Sequence, residues 1–171
     1  TLAGGSLQGT GSVEVGGANG SLVWSRGSMG SGGNFLLTSG RSGTLSNSLT
    51  LNRQFSNSGT LTLSNVTIGN GGSGSISNLL GGTINTAAGT SNAFNVALTN
   101  GGNVNIASGT TLSSASSTLI NGATGVIAAS GTLNLGTGSF SNSGTATFSG
   151  IYNVSTTNQT GGVATFNGAA S

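Results

Sequence analysis

Large apolar residues recur along most of this chain at a nearly constant interval of 21 or 22 residues. Each is followed two places later by an asparagine and eight places later by another large apolar residue. The first of these columns contains Phe55, Ile76, Leu98, Leu119 and Phe140, the second Asn57, Asn78, Asn100, Asn121 and Asn142, and the third Leu63, Ile84, Ile106, Ile127 and Phe148. A repeat of about 20 residues without helical periodicity indicates a solenoid.

Each repeat contains short segments in which apolar and polar residues alternate, which predicts strands with one buried face. Asparagine and glycine in the middle of the pattern, as in LTNGGNVNI (98–106), predict a bend before the strand, because both residues tolerate the left-handed backbone region. The second half of each repeat holds a further strand or two, such as 66–68 and 133–135. Coils of about 21 residues with three strands and three turns predict an all-β fold, a parallel β-helix or β-solenoid.

Equivalent residues of successive coils stack about 4.8 Å apart in such a fold. We therefore expect the first and third columns to form a buried apolar core ladder, with Ile106 stacked on Ile127. The asparagine column is expected to form a structural ladder of amides that bond one another along the axis. The alternative is a row of ligand-binding amides, which requires the column to face outward. The absence of proline agrees with strands that all donate N–H groups to a neighbour.

The regularity of the repeat divides the chain. Residues 1–54 contain alternating segments at less even spacing, and we expect them to form irregular coils or a cap. Regular coils are expected over 55–154, starting near residues 55, 76, 98, 119 and 140, with a partial last coil over 155–171. Trp24 is expected to pack in the core or cap rather than to serve as a sugar-binding platform.

Charge is almost absent, which restricts the possible functions more than the possible folds. The 171 residues include 34 glycines, three arginines and one glutamate, and no cysteine, histidine, lysine or aspartate. Such a composition offers no acid–base pair, no activated nucleophile and no metal shell, so we expect no enzyme activity, no metal and no cofactor. A nucleic-acid partner would need a dense basic surface, and no apolar run reaches membrane-spanning length. Low net charge and periodic apolar residues argue against disorder.

Several segments resemble the strand-rich repeats of large bacterial surface and secreted proteins, the filamentous-haemagglutinin-like exoproteins and autotransporter passenger domains. These segments are SLQGTGSVEV (6–15), SLVWSRGSMGSGG (21–33), TLSNSLTLNRQFSNSGTLTL (44–63) and FSNSGTATFSG (140–150). The resemblance implies a right-handed β-helix shaft that is exported from a bacterium and serves adhesion, aggregation or a cell-surface layer. It carries over no catalytic residue.

Two functions of different classes follow. The first is a non-enzymatic extracellular structural solenoid, either the shaft of a bacterial surface adhesin or a subunit of an extracellular filament or sheath. The second is a binding module, either an adhesin face that touches glycans or other cells, or an ice-binding face of threonine ladders. Thr60 with Thr62 and Thr145 with Thr147 suggest such a face, but the coils between them interrupt it, with Thr124 lacking a partner.

The ends of the solenoid lead to an expectation about partners. The stretch after Val154 has no charge, no proline and no amphipathic helix that could cover an open end, whereas residues 1–54 hold all four charges and are the better candidate for a capped end. We expect self-association head to tail, or continuation in a longer chain. A start at Thr1, without methionine or signal segment, suggests a processed product or a fragment.

Overall fold

The computed structural model describes residues 1–30 and 32–168, and this part of the chain is all-β. Its strands, in chain order, are Leu2–Leu7 (β1), Val13–Val15 (β2), Ser21–Met29 (β3), Asn34–Leu37 (β4), Ser42–Leu51 (β5), Gln54–Asn57 (β6), Thr60–Asn70 (β7), Ser75–Asn78 (β8), Thr83–Thr86 (β9), Ser91–Phe94 (β10), Ala97–Asn100 (β11), Asn103–Ile106 (β12), Thr111–Ser113 (β13), Thr118–Asn121 (β14), Val126–Ala129 (β15), Thr132–Asn142 (β16), Thr145–Phe148 (β17), Tyr152–Gln159 (β18) and Val163–Phe166 (β19). The described residues include no helix, and so none that is long and apolar enough to cross a membrane.

Every strand pairs in parallel with the equivalent strand of a neighbouring coil, so the predicted fold class is confirmed. The chain is a β-solenoid of about eight coils of roughly 21 residues. Its strands lie on three faces. Face 1 is represented by β8, β11 and β14, face 2 by β9, β12 and β15, and face 3 by β7, β10 and β13. At about 4.8 Å per coil, the described chain is a rod roughly 40 Å long.

Five strands are long because they pass from one face to the next without leaving the sheet. Strands β3, β5 and β7 turn from face 2 to face 3, and β16 and β18 turn from face 3 to face 1. In four of them a residue with left-handed backbone conformation lies at the corner: Gly27 (φ 89°), Asn47 (φ 59°), Asn65 (φ 51°) and Gly136 (φ 54°). The strand register shifts beside Gly27, Asn47 and Gly136, as expected where an extra residue bends a strand.

The interior is filled by the inward residues of all three faces. In β11 and β12, for example, burial alternates strictly between exposed and buried positions, which is the period of a strand with one face in the core. All ten apolar residues of the first and third sequence columns are buried. The first column forms one continuous row, because each of its residues pairs with the next from Phe55 to Phe140.

The third column does not form one ladder, and the expected stacking of Ile106 on Ile127 is wrong. Ile106 pairs with Ala129, and Ile127 pairs with Val104. The third-column residues therefore fall into two neighbouring rows: Ile84 and Ile127 lie in one, and Leu63, Ile106 and Phe148 belong to the other.

Turn length explains the split. Two residues separate face 1 from face 2 after Asn57, Asn100 and Asn142, whereas four separate them after Asn78 and Asn121. Two extra residues move the ninth place of the repeat by two positions along the next strand. Because side-chain direction repeats every two residues, the displaced residue still points inward. The sequence column therefore marks burial correctly but mixes two rows.

Residues 1–54 are part of the same sheet. Strand β4 pairs with β6 over four residues, from Asn34 with Gln54 to Leu37 with Asn57, and β5 pairs with β7 along its whole length. The spacing is less even, since Val13 pairs with Phe35 and Phe35 with Phe55, intervals of 22 and 20 residues. At the other end, β18 and β19 add a further coil to the stack, and residues 169–171 of the expected last coil lie outside the described part.

Candidate functional site: the interior amide ladder and the outward faces

The asparagine column lies inside the solenoid as a continuous ladder of hydrogen-bonded amides. Each side-chain Nδ2 donates to the Oδ1 of the asparagine one coil further on, at 2.8 Å from Asn57 to Asn78 and at 2.7 Å for each of the next three steps. We call this set the amide ladder: Asn57, Asn78, Asn100, Asn121 and Asn142. All five side chains are at most 1% exposed. The arrangement makes the column structural, because amides this deeply buried cannot meet a ligand at the surface.

The ladder amides also satisfy the backbone of the turn between faces 1 and 2. The second proton of Asn121 Nδ2 is within reach of two carbonyls, Gly125 O and Thr145 O, both at 3.1 Å. Asn100 Nδ2 likewise lies 3.2 Å from Gly102 O and from Val126 O, and its Oδ1 accepts from the Gly102 N–H at 3.3 Å. Buried polar groups without hydrogen-bond partners are costly. These bonds therefore stabilise the turn and hold it against the ladder.

The ladder has two different ends. Below Asn57 the same row continues with Leu37, so an apolar side chain takes the amide's place in the earlier coils. Above Asn142 the row continues with Gln159, whose Oε1 accepts from Asn142 Nδ2 at 3.1 Å and whose own amide donates to Gly161 O. The row therefore accepts an apolar side chain directly beside an amide, and Asn57 Oδ1 accepts from the Gly59 N–H at 3.2 Å instead of from the row.

Glycines that precede the face 2 strands have a different role from the one the sequence suggested. Neither Gly102 nor Gly125 has a left-handed backbone, nor do the ladder asparagines, although Gly81 in the longer turn after Asn78 does (φ 84°). The predicted bonding of asparagine to its own turn is present at Asn57 and Asn100, whose Oδ1 atoms each accept from the backbone N–H two residues on. A Cβ on Gly102 would instead lie 2.2 Å from the carbonyl oxygen of Gly82, one coil earlier. These glycines are required because two turns stack in direct backbone contact.

Sequence reasoning missed a second group of buried polar residues, in the turns between faces 2 and 3. The hydroxyls of Thr86 and Thr110 are hydrogen-bonded at 2.7 Å in the interior. Thr90 and Thr110 each close their own turn by donating to a carbonyl three residues back, at 2.6 and 2.7 Å. The signal was present as AAGT at 87–90 and ASGT at 107–110.

Arg53 is a buried cation that no sequence pattern indicated. Its side chain is 2% exposed, and its guanidinium donates from Nε to Gly30 O at 2.7 Å and from an Nη to Gly9 O at 3.1 Å. These carbonyls come from the two preceding coils, so Arg53 ties three coils together at one corner. Trp24, by contrast, is fully buried as a core residue, with Nε1 donating to Arg26 O at 3.1 Å.

The outward side chains of face 2 form two parallel rows. The register aligns Thr60 with Thr83 and Thr62 with Asn85, and continues both rows as far as β19. One exposed step, from Asn105 Nδ2 to Asn85 Oδ1, is hydrogen-bonded at 2.8 Å. Val126 and Ala128 interrupt the rows; Thr124, which the sequence suggested for this coil, lies in a turn and donates to Gly101 O.

No candidate metal site is found within residues 1–30 and 32–168, where no three histidine, cysteine, aspartate or glutamate side chains come together.

No family model matches the chain, and no curated protein and no solved structure is similar to it. The amide ladder and the outward rows therefore have to be interpreted from their own geometry.

Proposed function

We propose that this chain is a non-enzymatic structural β-solenoid that serves outside a bacterial cell, as the shaft of a surface adhesin or as a subunit of an extracellular filament or sheath. The observation that carries the proposal is the continuity of the interior. Buried rows run from coil to coil along the axis, and the amide ladder adds directional hydrogen bonds parallel to that axis. Such an interior supplies length and stiffness without a special site.

Low charge supports the same proposal. A solenoid held by apolar rows and buried neutral amides depends little on ionic strength, since screening acts on charges. The described outward surface carries short polar side chains and few groups capable of acid–base or nucleophilic chemistry. The resemblance of the segments around Val13, Trp24 and Phe55 to the repeats of exported bacterial proteins points in the same direction.

Localisation tests this proposal directly. Antibodies raised against the purified chain should label the outer surface of intact cells of the producing organism, or filaments attached to them, in immunogold electron microscopy. Mild protease treatment of whole cells should remove the label. Label confined to the cytoplasm of sectioned cells, with none on intact cells, would overturn the extracellular function.

The two outward rows of face 2 favour a second candidate function, a binding module. Hydroxyl and amide groups repeat there at the spacing of the strands, on a surface without charge. A glycan surface is the first candidate ligand and ice the second, although Val126 and Ala128 interrupt the pattern. Retention on insoluble polysaccharides that is lost in a Thr62→Lys, Asn105→Lys variant, with unchanged melting, would favour the binding module over the shaft.

A further inference from the structure

The N-terminal end of the rod opens into an apolar cavity. It has a volume of about 200 Å³, and its apolar lining comes from the first coils: Leu2, Leu7, Val15, Leu22, Met29 and Phe35. A buried apolar cavity of about 150 Å³ is large enough to hold benzene. The N-terminal cavity can therefore accept one aromatic side chain. Of the two expectations for residues 1–54, irregular coils or a cap, the structure shows coils, and the cavity lies among the first of them.

The C-terminal end of the rod presents aromatic side chains. Phe166 stacks on Phe148 with ring centroids 5.2 Å apart, and Tyr152 lies edge-on to Phe166 at 4.9 Å. We call these three residues the C-terminal aromatic cluster. Phe148 is buried, but Phe166 is 50% exposed although it occupies the interior row above Phe148. One end thus has an aromatic group on an interior row, and the other has an apolar space.

The backbone at the two ends is also complementary. Within the described residues, β1 and β2 pair with a neighbour on one side only, and so do β18 and β19. Because all coils stack in parallel, the upper edge of the last coil and the lower edge of the first have the polarity needed to continue the same sheet. Open edges of this kind are templates for pairing with another chain.

Charge does not oppose such a contact. All four charged residues precede residue 54, so the C-terminal end carries no charged side chain that could repel the first coil. A contact between an aromatic cluster, an apolar cavity and backbone edges should hold equally well at low and high salt.

We propose that a second copy of this chain docks head to tail, with Phe166 of one copy inserted into the N-terminal cavity of the next. This inference rests on the proposed structural function and names the partner and the contact. The contact is heterologous, since it joins two different surfaces, so a pair of docked copies still has one free end of each kind. Repetition then gives an open filament rather than a closed dimer.

The test uses two variants that each block one end. Phe166→Lys places an ammonium group in the contact from the C-terminal side, and Leu2→Lys does so from the N-terminal side. An unpaired buried charge should weaken association at least about tenfold. Ile120→Lys is the matched control, because Ile120 is an exposed apolar residue (40%) on the side of the rod. Far-ultraviolet circular dichroism and melting curves establish that all variants remain folded.

Sedimentation velocity and negative-stain electron microscopy over a concentration series give the result. The unmodified chain and Ile120→Lys should form linear particles that lengthen with concentration, independently of salt. Phe166→Lys and Leu2→Lys should each remain monomeric, and their equimolar mixture should form dimers and nothing larger, because only one compatible pair of ends is left.

A folded, monomeric unmodified chain at high concentration would overturn the proposal, as would filaments formed equally by either end variant or blocked by Ile120→Lys. A monomeric chain that still labels the cell surface would refute the head-to-tail contact alone and leave the proposed function standing. Filaments formed in vitro by a chain that is confined to the cytoplasm of its cell would support the head-to-tail contact and refute the proposed extracellular function.

Discussion

Replacing Asn121 with alanine removes one amide from the middle of the amide ladder. The change deletes the donor that Asn142 Oδ1 receives at 2.7 Å and the acceptor that Asn100 Nδ2 uses at 2.7 Å. Asn100 Nδ2 keeps its contacts with Gly102 O and Val126 O, so this amide is weakened rather than orphaned. The described bonds include no other donor to Asn142 Oδ1.

The magnitude follows from these losses. One buried acceptor without a partner costs about 1–3 kcal/mol, and the loss of one hydrogen bond at Asn100 adds about 1 kcal/mol. Gly125 O adds little, because it still accepts from the Thr145 N–H at 3.0 Å. We expect a total of about 2–4 kcal/mol. At about 2–4 °C per kcal/mol for a chain of this size, the melting temperature should fall by roughly 5–15 °C.

Differential scanning calorimetry measures the effect, and Asn105→Ala is the matched control. Asn105 donates to Asn85 Oδ1 at 2.8 Å, a bond of nearly the same length between the same groups, but on the exposed surface of face 2. Its loss should cost less than about 0.5 kcal/mol, as surface substitutions usually do. Equal shifts for Asn121→Ala and Asn105→Ala would refute the argument that burial sets the value of the ladder. An unchanged melting temperature for Asn121→Ala would do the same.

Three further predictions concern the glycines, the core and the single tyrosine. Gly102→Ala should lower the melting temperature clearly, because the added Cβ would lie 2.2 Å from Gly82 O. Gly101→Ala is the control, because a Cβ at that position has no atom closer than 3.5 Å. This control should melt within about 2 °C of the unmodified chain. Ile106→Asp should lower the free energy of unfolding in urea by at least about 3 kcal/mol, since it buries an unpaired charge. Ile120→Asp, at a half-exposed position, should lower it far less. Similar losses for the two variants would contradict the assigned burial. Burial raises the pKa of Tyr152, and its hydrogen bond to Thr157 has a smaller, opposing effect. The stability that the protonated tyrosine contributes is therefore complete below about pH 10. It is lost as the pH rises through the raised pKa. Absorbance titration of the tyrosinate should show the raised pKa, and Tyr152→Phe should abolish part of the destabilisation that sets in above about pH 10. A normal pKa would contradict the partial burial of Tyr152.

The sequence predicted the repeat, the solenoid and the inward direction of its columns, because all three depend on periodicity alone. The sequence did not predict correctly which residues stack on one another in successive coils. Ile106 and Ile127 occupy the same place in the repeat, yet a turn longer by two residues puts them in different rows without changing their burial. A pattern of apolar and polar positions repeats every two residues along a strand, so it is insensitive to such a shift.

Other features could not be predicted because their partners, although in neighbouring coils, are far away in the sequence. Arg53 is satisfied by carbonyls more than 20 residues earlier, and no local pattern marks those glycines as acceptors. The same applies to Gly102, which is needed because another turn lies directly against it. The apolar cavity among the first coils was also missed. Charge in residues 1–54 suggested a cap, but the charged residue Arg53 points into the solenoid rather than covering its end.

The central claim is that the amide ladder is continuous along the axis from Asn57 to Asn142, and side-chain hydrogen exchange tests it most directly. In ¹⁵N-resolved NMR, the Nδ2 protons of Asn78, Asn100 and Asn121 should exchange only by opening events close in free energy to global unfolding, and at similar rates in all three coils. The Nδ2 protons of Asn105 should exchange faster by several orders of magnitude. Exchange of the three ladder amides as fast as that of Asn105, or strong protection in one coil beside none in the next, would contradict a continuous ladder.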